Sequence, residues 1–231
     1  MFSDLSDYVP TVHRDGRKFV YMLGGAALVM LYLWPSLGWL LVLATGAVAA
    51  FFRDPTRVTP VREGLIVAPA DGNVISVMMV HGPKELGFGD AERMRVSIHL
   101  SLLDVHINRS PMAGRVVRSI YVPGAYLNPT LDKTSEENER RALVIAADDG
   151  AELAIVQIAG VVSRRIVTFA GEGDMLTAGQ RIGLIRFGSR VDLYLPPGVA
   201  SLVCEGQRMV AGETVVADRR SDERGRDCRR S

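Results

Sequence analysis

The dipeptide Gly188-Ser189 lies between two segments that are typical of β-strands, 181–186 and 191–195. Glycine has no side chain to block the approach of the serine hydroxyl to the preceding carbonyl, and it permits unusual backbone angles. An ester formed in this way can eliminate to dehydroalanine and hydrolyse to a pyruvoyl group, a ketone made from the chain itself. Gly-Ser pairs also occur in ordinary turns, so this chemistry depends on the surrounding residues.

A serine that attacks its own backbone needs a base for the hydroxyl proton and a group that stabilises the oxyanion. The chain has four histidines, and His106 lies in a polar cluster, Asp-Val-His-Ile-Asn-Arg at 104–109, that follows a predicted strand. We therefore take His106 as the candidate base. His99, seven residues upstream, is an alternative, although a packed strand histidine is the competing interpretation.

The chain around Ser189 resembles the processing segment of the short-form phosphatidylserine decarboxylases. Gly-Asp-Met-Leu-Thr-Ala-Gly-Gln-Arg-Ile-Gly at 173–183 precedes Phe-Gly-Ser-Arg-Val-Asp-Leu-Tyr-Leu-Pro at 187–196. Other segments resemble the family in the same order: Phe-Arg-Asp-Pro at 52–55, Pro-Ala-Asp-Gly at 69–72, Asp-Val-His-Ile-Asn-Arg at 104–109, Asn-Glu-Arg at 138–140 and Gln-Ile-Ala-Gly at 157–160. The resemblance covers approximately residues 50–197.

The resemblance implies a self-processing enzyme that converts phosphatidylserine to phosphatidylethanolamine and carbon dioxide. Cleavage between Gly188 and Ser189 would give a large chain, 1–188, and a small chain, 189–231, with a covalent pyruvoyl cofactor derived from Ser189. That ketone would form a Schiff base with the substrate amine, and no metal is expected. The two chains would stay together as a heterodimer, which could assemble into a higher oligomer.

The resemblance also implies a processing constellation of Asp71, His106 and Ser189. The carboxylate would orient the imidazole as in a serine hydrolase triad, although Asp71 before a glycine is equally typical of an Asx turn. Long-form relatives have two histidines three residues apart in this segment. Here the first is His106 and the second position is Arg109, so either His106 serves both processing and decarboxylation or another group, such as His99, takes one task.

Several arginines are candidates for binding the substrate's phosphate or carboxylate, because guanidinium binds either group through two hydrogen bonds. A surface or ion-paired arginine is the competing interpretation for each. The candidates are Arg109, Arg140, Arg164 and Arg165.

The segment 19–52 contains no charged residue and divides at Trp34-Pro35 into two apolar runs. As helices the runs would each span about 20 to 23 Å, less than the roughly 30 Å hydrocarbon core. Basic residues flank both ends, so the positive-inside rule predicts a helical membrane hairpin with both ends in the cytoplasm. One tilted span or a signal sequence are the alternatives. We expect the protein at the cytoplasmic face of the cell (inner) membrane.

Beyond residue 60, short β-branched runs alternate with glycine- and proline-rich turns, which favours a mainly β fold with a β-sandwich-like catalytic domain. We predict three parts: a membrane-associated helical segment at 1–53, the β-rich catalytic domain at 54–218 and a basic, disordered tail at 219–231.

The formal net charge of +1 argues against nucleic acid as a partner. Cys204 and Cys228 lack metal-ligand spacing, and we predict two free thiols in a reducing compartment. Two other functions are consistent with parts of the sequence. One is a membrane-tethered, biotinyl/lipoyl-like binding module, and the other is an uncleaved serine hydrolase that uses Ser189, His106 and Asp71.

Overall fold

The structure is a computed structural model that describes residues 11–127, 137–160, 166–186, 189–223 and 225–229, with only the backbone of Ser189. The chain forms two compact units, Met1–Thr56 and Arg57–Ser231. We call them the N-terminal unit and the β-rich unit.

The N-terminal unit is a helical hairpin. Strand β1 (Thr11–Val12) leads into helix α1 (Arg14–Leu33), and helix α2 (Pro35–Phe51) leads into strand β2 (Arg53–Asp54). Pro35 occupies the first turn of α2, where its missing N–H costs no helical hydrogen bond. Strands β1 and β2 pair in antiparallel fashion, so the beginning and the end of the helical hairpin lie side by side. Among the described helices, α1 is long and apolar enough to cross a membrane, and α2 is apolar but shorter.

In the described part of the β-rich unit there are thirteen strands and a short 3-10 helix at Lys84–Leu86. The strands are β3 (Leu65–Val67), β4 (Gly72–His81), β5 (Glu92–Leu100), β6 (Ile107–Arg109), β7 (Gly114–Val122), β8 (Arg140–Ala146), β9 (Glu152–Ala159), β10 (Ile166–Thr168), β11 (Met175–Leu176), β12 (Arg181–Ile185), β13 (Ser189–Tyr194), β14 (Arg208–Met209) and β15 (Val215–Asp218).

Eight of these strands form one antiparallel sheet in the order β11-β7-β8-β9-β13-β5-β4-β14. Two smaller sheets have the orders β10-β12-β6 and β15-β3. The prediction of a mainly β fold with N-terminal helices is confirmed. The predicted strands at 74–80, 94–100 and 115–122 lie inside β4, β5 and β7.

The core is a sandwich because one face of the large sheet is covered by the smaller sheets. Val191 and Leu193 of β13 pack in a single buried cluster with Ile182 of β12 and Val216 of β15. Alternation along β13 places Tyr194 on the opposite face, in a second apolar cluster. Strand β13 is therefore buried on both faces and lies at the centre of the unit.

The prediction of two free thiols is wrong, because the structure joins Cys204 and Cys228 in a disulfide with a Cα–Cα distance of 6.2 Å. The described tail residues turn back towards the strands, and Arg219 forms a salt bridge with Asp149. The spacing of the two cysteines along the chain does not predict that the fold brings them together. That the remainder of the tail is solvated stays a prediction.

Candidate active site

Ser189 is the first residue of β13 and lies in register with Leu100 of β5 and Ala159 of β9. The preceding strand, β12, ends at Ile185 and belongs to the three-stranded sheet. The chain therefore crosses from one sheet to the other between Ile185 and Ser189. Gly188 lies in this crossing, outside the described residues.

His106 is fully buried immediately before β6. Its carbonyl oxygen accepts a hydrogen bond from the Ile185 amide at 3.1 Å, which ties His106 to the end of β12. Four residues span at most roughly 14 Å, so the candidate base lies near the sheet crossing that leads to Ser189.

The imidazole of His106 is oriented by a backbone group. Its Nδ1 lies 2.9 Å from the carbonyl oxygen of Asp104. A carbonyl oxygen only accepts hydrogen bonds, so Nδ1 must carry a proton in this contact. In the neutral ring Nε2 is therefore the basic nitrogen, as general-base catalysis requires.

The Asp104 side chain holds this loop in place. Its carboxylate accepts hydrogen bonds from the amide and the hydroxyl of Ser101, at 2.8 and 2.7 Å, and it pairs with Arg208. Burial raises the pKa of this carboxyl, but the Ser101 hydrogen bonds and Arg208 outweigh burial and lower the pKa below its usual range. Asp104 was not among the predicted site residues, although it lies only two residues before His106.

Asp71 lies immediately before β4, at the end of the large sheet where β13 begins. It is buried, and its two carboxylate oxygens accept from the Arg57 guanidinium at 2.7 Å and from the Ala211 amide at 2.8 Å. Within the described ranges, no hydrogen bond joins Asp71 to His106. The orienting role of Asp71 therefore stays a prediction, and Arg57 is a partner that no sequence motif indicated.

Gly72 permits close packing beside Asp71. Its φ angle is 147°, and a Cβ atom there would lie 2.2 Å from the carbonyl oxygen of His99. A side chain at this position would push β4 away from β5. The glycine of the Pro-Ala-Asp-Gly segment is thus required for packing and not only for a turn.

His99, the alternative base, pairs with Arg190 in β13 and Asn73 in β4. Strand alternation places its side chain on the face of the sheet opposite to Leu100, the register partner of Ser189. Its Nδ1 is buried and has no hydrogen-bond partner among the residues that the structure describes. The structure thus separates His99 from the buried face that contains Leu100.

A buried amide pair connects the two sheets near the crossing. The Gln157 side chain donates to Asn108 Oδ1 at 2.7 Å, and both residues are almost completely buried. Within the described part of the chain, Asn108 Nδ2 and Gln157 Oε1 have no hydrogen-bond partners. If the oxygen and nitrogen assignments of both side-chain amides were exchanged, one NH₂ group and one carbonyl oxygen would still be unused. The pair therefore retains a donor and an acceptor beside β6, the strand that follows His106.

The candidate arginines have different environments. Arg109 is buried and donates to the Gly179 carbonyl at 2.9 Å. Arg140 forms a salt bridge with Glu85 and lines a cavity of ≈ 680 Å³ whose other walls include Val156 and Ile158. Arg164 and Arg165 lie outside the described residues.

The same cavity borders a buried ion pair that the sequence motifs did not indicate. Arg190 and Asp192 are 1% and 3% exposed, with Nε 2.6 Å from Oδ1, and Arg190 also donates to Ser97. Burial raises the pKa of neighbouring Tyr194, and the charge of Asp192 raises it further.

Among the described residues, no group of three or more His, Cys, Asp or Glu side chains could hold a metal ion.

Comparisons with known proteins identify the family. The family model described as phosphatidylserine decarboxylase matches residues 45–217. A phosphatidylserine decarboxylase proenzyme from Cereibacter sphaeroides is 50% identical over 219 residues, which cover 95% of this chain and 94% of the relative. The match includes the sheet crossing, the His106 loop and the Asp71 segment, and the chain therefore belongs to the phosphatidylserine decarboxylase family, a family of carboxy-lyases.

Proposed function

We propose that this chain decarboxylates phosphatidylserine to phosphatidylethanolamine with a pyruvoyl group that it makes from Ser189. The position of Ser189 carries the proposal, because it starts a central strand directly after a glycine and near the buried base His106. The name proenzyme of the relative from Cereibacter sphaeroides is consistent with processing of this kind.

Self-cleavage would begin with proton transfer from the Ser189 hydroxyl to Nε2 of His106. The serine oxygen then attacks the Gly188 carbonyl carbon, and the acyl group moves from nitrogen to oxygen as the peptide C–N bond breaks and the leaving nitrogen takes the proton from His106. Elimination removes the Cα proton of residue 189 and releases the Gly188 carboxylate from its Cβ, which leaves dehydroalanine. Hydrolysis of this residue releases ammonia and leaves the ketone.

The fold suits a ketone at this position. Residues 189–194 of β13 pair along their whole length with β5 on one side and β9 on the other. These hydrogen bonds would hold the new terminus of the small chain after cleavage, so the chains 1–188 and 189–231 would remain associated. The pyruvoyl group supplies an electrophilic carbonyl that accepts the substrate amine and withdraws electrons as carbon dioxide leaves.

The surrounding residues would perform the other tasks. Protonated His106 is suited to deliver a proton to the carbon that has lost carbon dioxide. Arg140, in the wall of the cavity, is suited to bind a phosphate. The apolar helix α1 supports attachment to a membrane, which we propose to be the cytoplasmic face of the cell membrane.

The substitution Ser189→Ala tests the proposal. We expect the variant to remain one uncut chain without decarboxylase activity, while the natural chain yields a fragment spanning 189–231 that reacts with carbonyl reagents. Denaturing electrophoresis and intact mass distinguish the two products. The control is Ser119→Ala, at a serine on β7 whose hydroxyl accepts from Arg141, and it should be cut normally. Normal cleavage of the Ser189→Ala variant would disprove the site.

A further inference from the structure

An exposed apolar pair lies in the loop that leads to His106. Leu102 and Leu103 are 56% and 83% exposed, between the end of β5 and Asp104. The hydrogen bonds from Ser101 to the Asp104 carboxylate close this turn. The two leucines are therefore presented to the outside by an ordered loop, next to the strand end that pairs with Ser189.

A second apolar pair lies on the other side of β13. Tyr126 and Leu127 are 37% and 38% exposed, and the Tyr126 hydroxyl donates a hydrogen bond to Glu139. The buried side chain of Asn138 exchanges two hydrogen bonds with the Leu127 backbone and donates a third to the Ala159 carbonyl at 2.9 Å. Ala159 is the other register partner of Ser189, so this segment is anchored directly beside the start of β13.

The two pairs flank the same end of the large sheet, one beyond β5 and one beyond β9. We call Leu102, Leu103, Tyr126 and Leu127 the apolar rim. Grouped apolar side chains that face solvent usually mark a contact surface. The apolar rim is therefore expected to be covered by a partner.

The substrate of the proposed function indicates that the partner of the apolar rim is a lipid bilayer, and the inference rests on that function. Each methylene of a diacyl lipid favours the bilayer over water, so phosphatidylserine stays in the membrane and the site must reach its headgroup there. Arg208, whose side chain is 60% exposed, pairs with Asp104 in the same loop, and its guanidinium has further N–H donors for anionic headgroups. We propose that the apolar rim inserts into the headgroup layer and holds the active site against the bilayer.

The test compares one enzyme on two forms of the substrate. The full-length processed protein, reconstituted in phosphatidylcholine vesicles, receives either long-chain phosphatidylserine in the same bilayer or dihexanoyl phosphatidylserine dissolved as monomers. For Leu102→Ser/Leu103→Ser we expect a roughly tenfold loss of kcat/KM on the bilayer substrate, since two leucines lose apolar contact. The rate on the dissolved substrate should be unchanged.

Two variants serve as controls. Met175→Ser removes an exposed apolar side chain, 58% exposed, on β11 at the opposite end of the sheet, and it should leave both rates unchanged. Leu102→Met/Leu103→Phe keeps the rim apolar and should retain the bilayer rate. Release of the fragment 189–231 from each precursor verifies that the variant has folded and processed.

Equal losses on both substrates, or no loss on either, would overturn the rim proposal. A change of oligomeric state in the serine variant with both rates retained would do so as well, because the surface would then be a protein interface. If the unaltered enzyme decarboxylates neither form of phosphatidylserine, the proposed function itself fails, and this result is distinguishable from a failure of the rim.

Discussion

The backbone carbonyl of Asp104 lies 2.9 Å from Nδ1 of His106, so a main-chain group two residues away sets the tautomer of the candidate base. This orientation comes from a residue close to His106 along the chain. It depends on the loop geometry that the Asp104 side chain maintains through Ser101 and Arg208.

Replacing His106 by glutamine should slow self-cleavage by about 10²- to 10⁴-fold, the usual contribution of a general base. The measurement is the rate at which the fragment 189–231 accumulates from purified precursor. His81→Gln is the control, because its ring lies on the exposed end of β4. An unchanged rate in the His106 variant would exclude this residue as the base.

Asp71→Asn should slow cleavage and also weaken the fold, because the amide cannot maintain the ion pair with Arg57. Arg57→Gln separates the two effects, since it removes the ion pair and keeps the carboxylate. Fragment release and the free energy of unfolding are measured for both variants. If Asp71→Asn matches Arg57→Gln in stability and cuts at the natural rate, Asp71 has no part in processing.

Arg208→Ala should lower the free energy of unfolding at neutral pH by no more than about 1 kcal/mol, because the arginine side chain is largely exposed. The pKa of Asp104 is lowered in the folded state, so its stabilising effect is present above the unfolded pKa and disappears as the pH falls through the folded pKa. The free energies of unfolding of the unaltered protein and of Arg208→Ala, measured by denaturant titration, should therefore become equal at low pH. A difference that persists at low pH would contradict this account.

Asp192→Asn should destabilise the β-rich unit by about 3 to 5 kcal/mol, because the buried guanidinium of Arg190 loses its carboxylate. The surface pair Arg219–Asp149 provides the matched control, and Asp149→Asn should cost much less stability because water already solvates this carboxylate. Urea unfolding followed by circular dichroism measures both values. Equal losses would show that burial of the pair is unimportant.

Gly72→Ala should be strongly destabilising and should impair cleavage, since its Cβ would collide with the His99 carbonyl oxygen. Gly150→Ala is the control, because φ there is also positive, at 81°, but a Cβ would meet no atom within 4 Å. The thermal midpoint and the yield of the fragment 189–231 are compared. A Gly72 variant as stable as the Gly150 variant would argue against the close approach.

The sequence predicted the parts of the fold that depend on local patterns. Short β-branched runs between glycine- and proline-rich turns predicted strands, because β-branched side chains pack well on a pleated sheet. The uncharged segment 19–52 predicted the helical hairpin because lipid-compatible helices need uninterrupted apolar runs. The Gly188-Ser189 pair and the family motifs likewise identified the candidate cleavage site, because residue type and order along the chain are enough to recognise them.

Pairings between distant residues followed from tertiary structure alone. The partner of Asp71 is Arg57 through a salt bridge, Cys204 joins Cys228, and Arg208 pairs with Asp104. Each contact depends on where the folded backbone brings side chains together, and no spacing along the chain contains that information. The amino-acid sequence thus identified the candidate residues for the chemistry, while sheet packing decided which neighbours lie beside them.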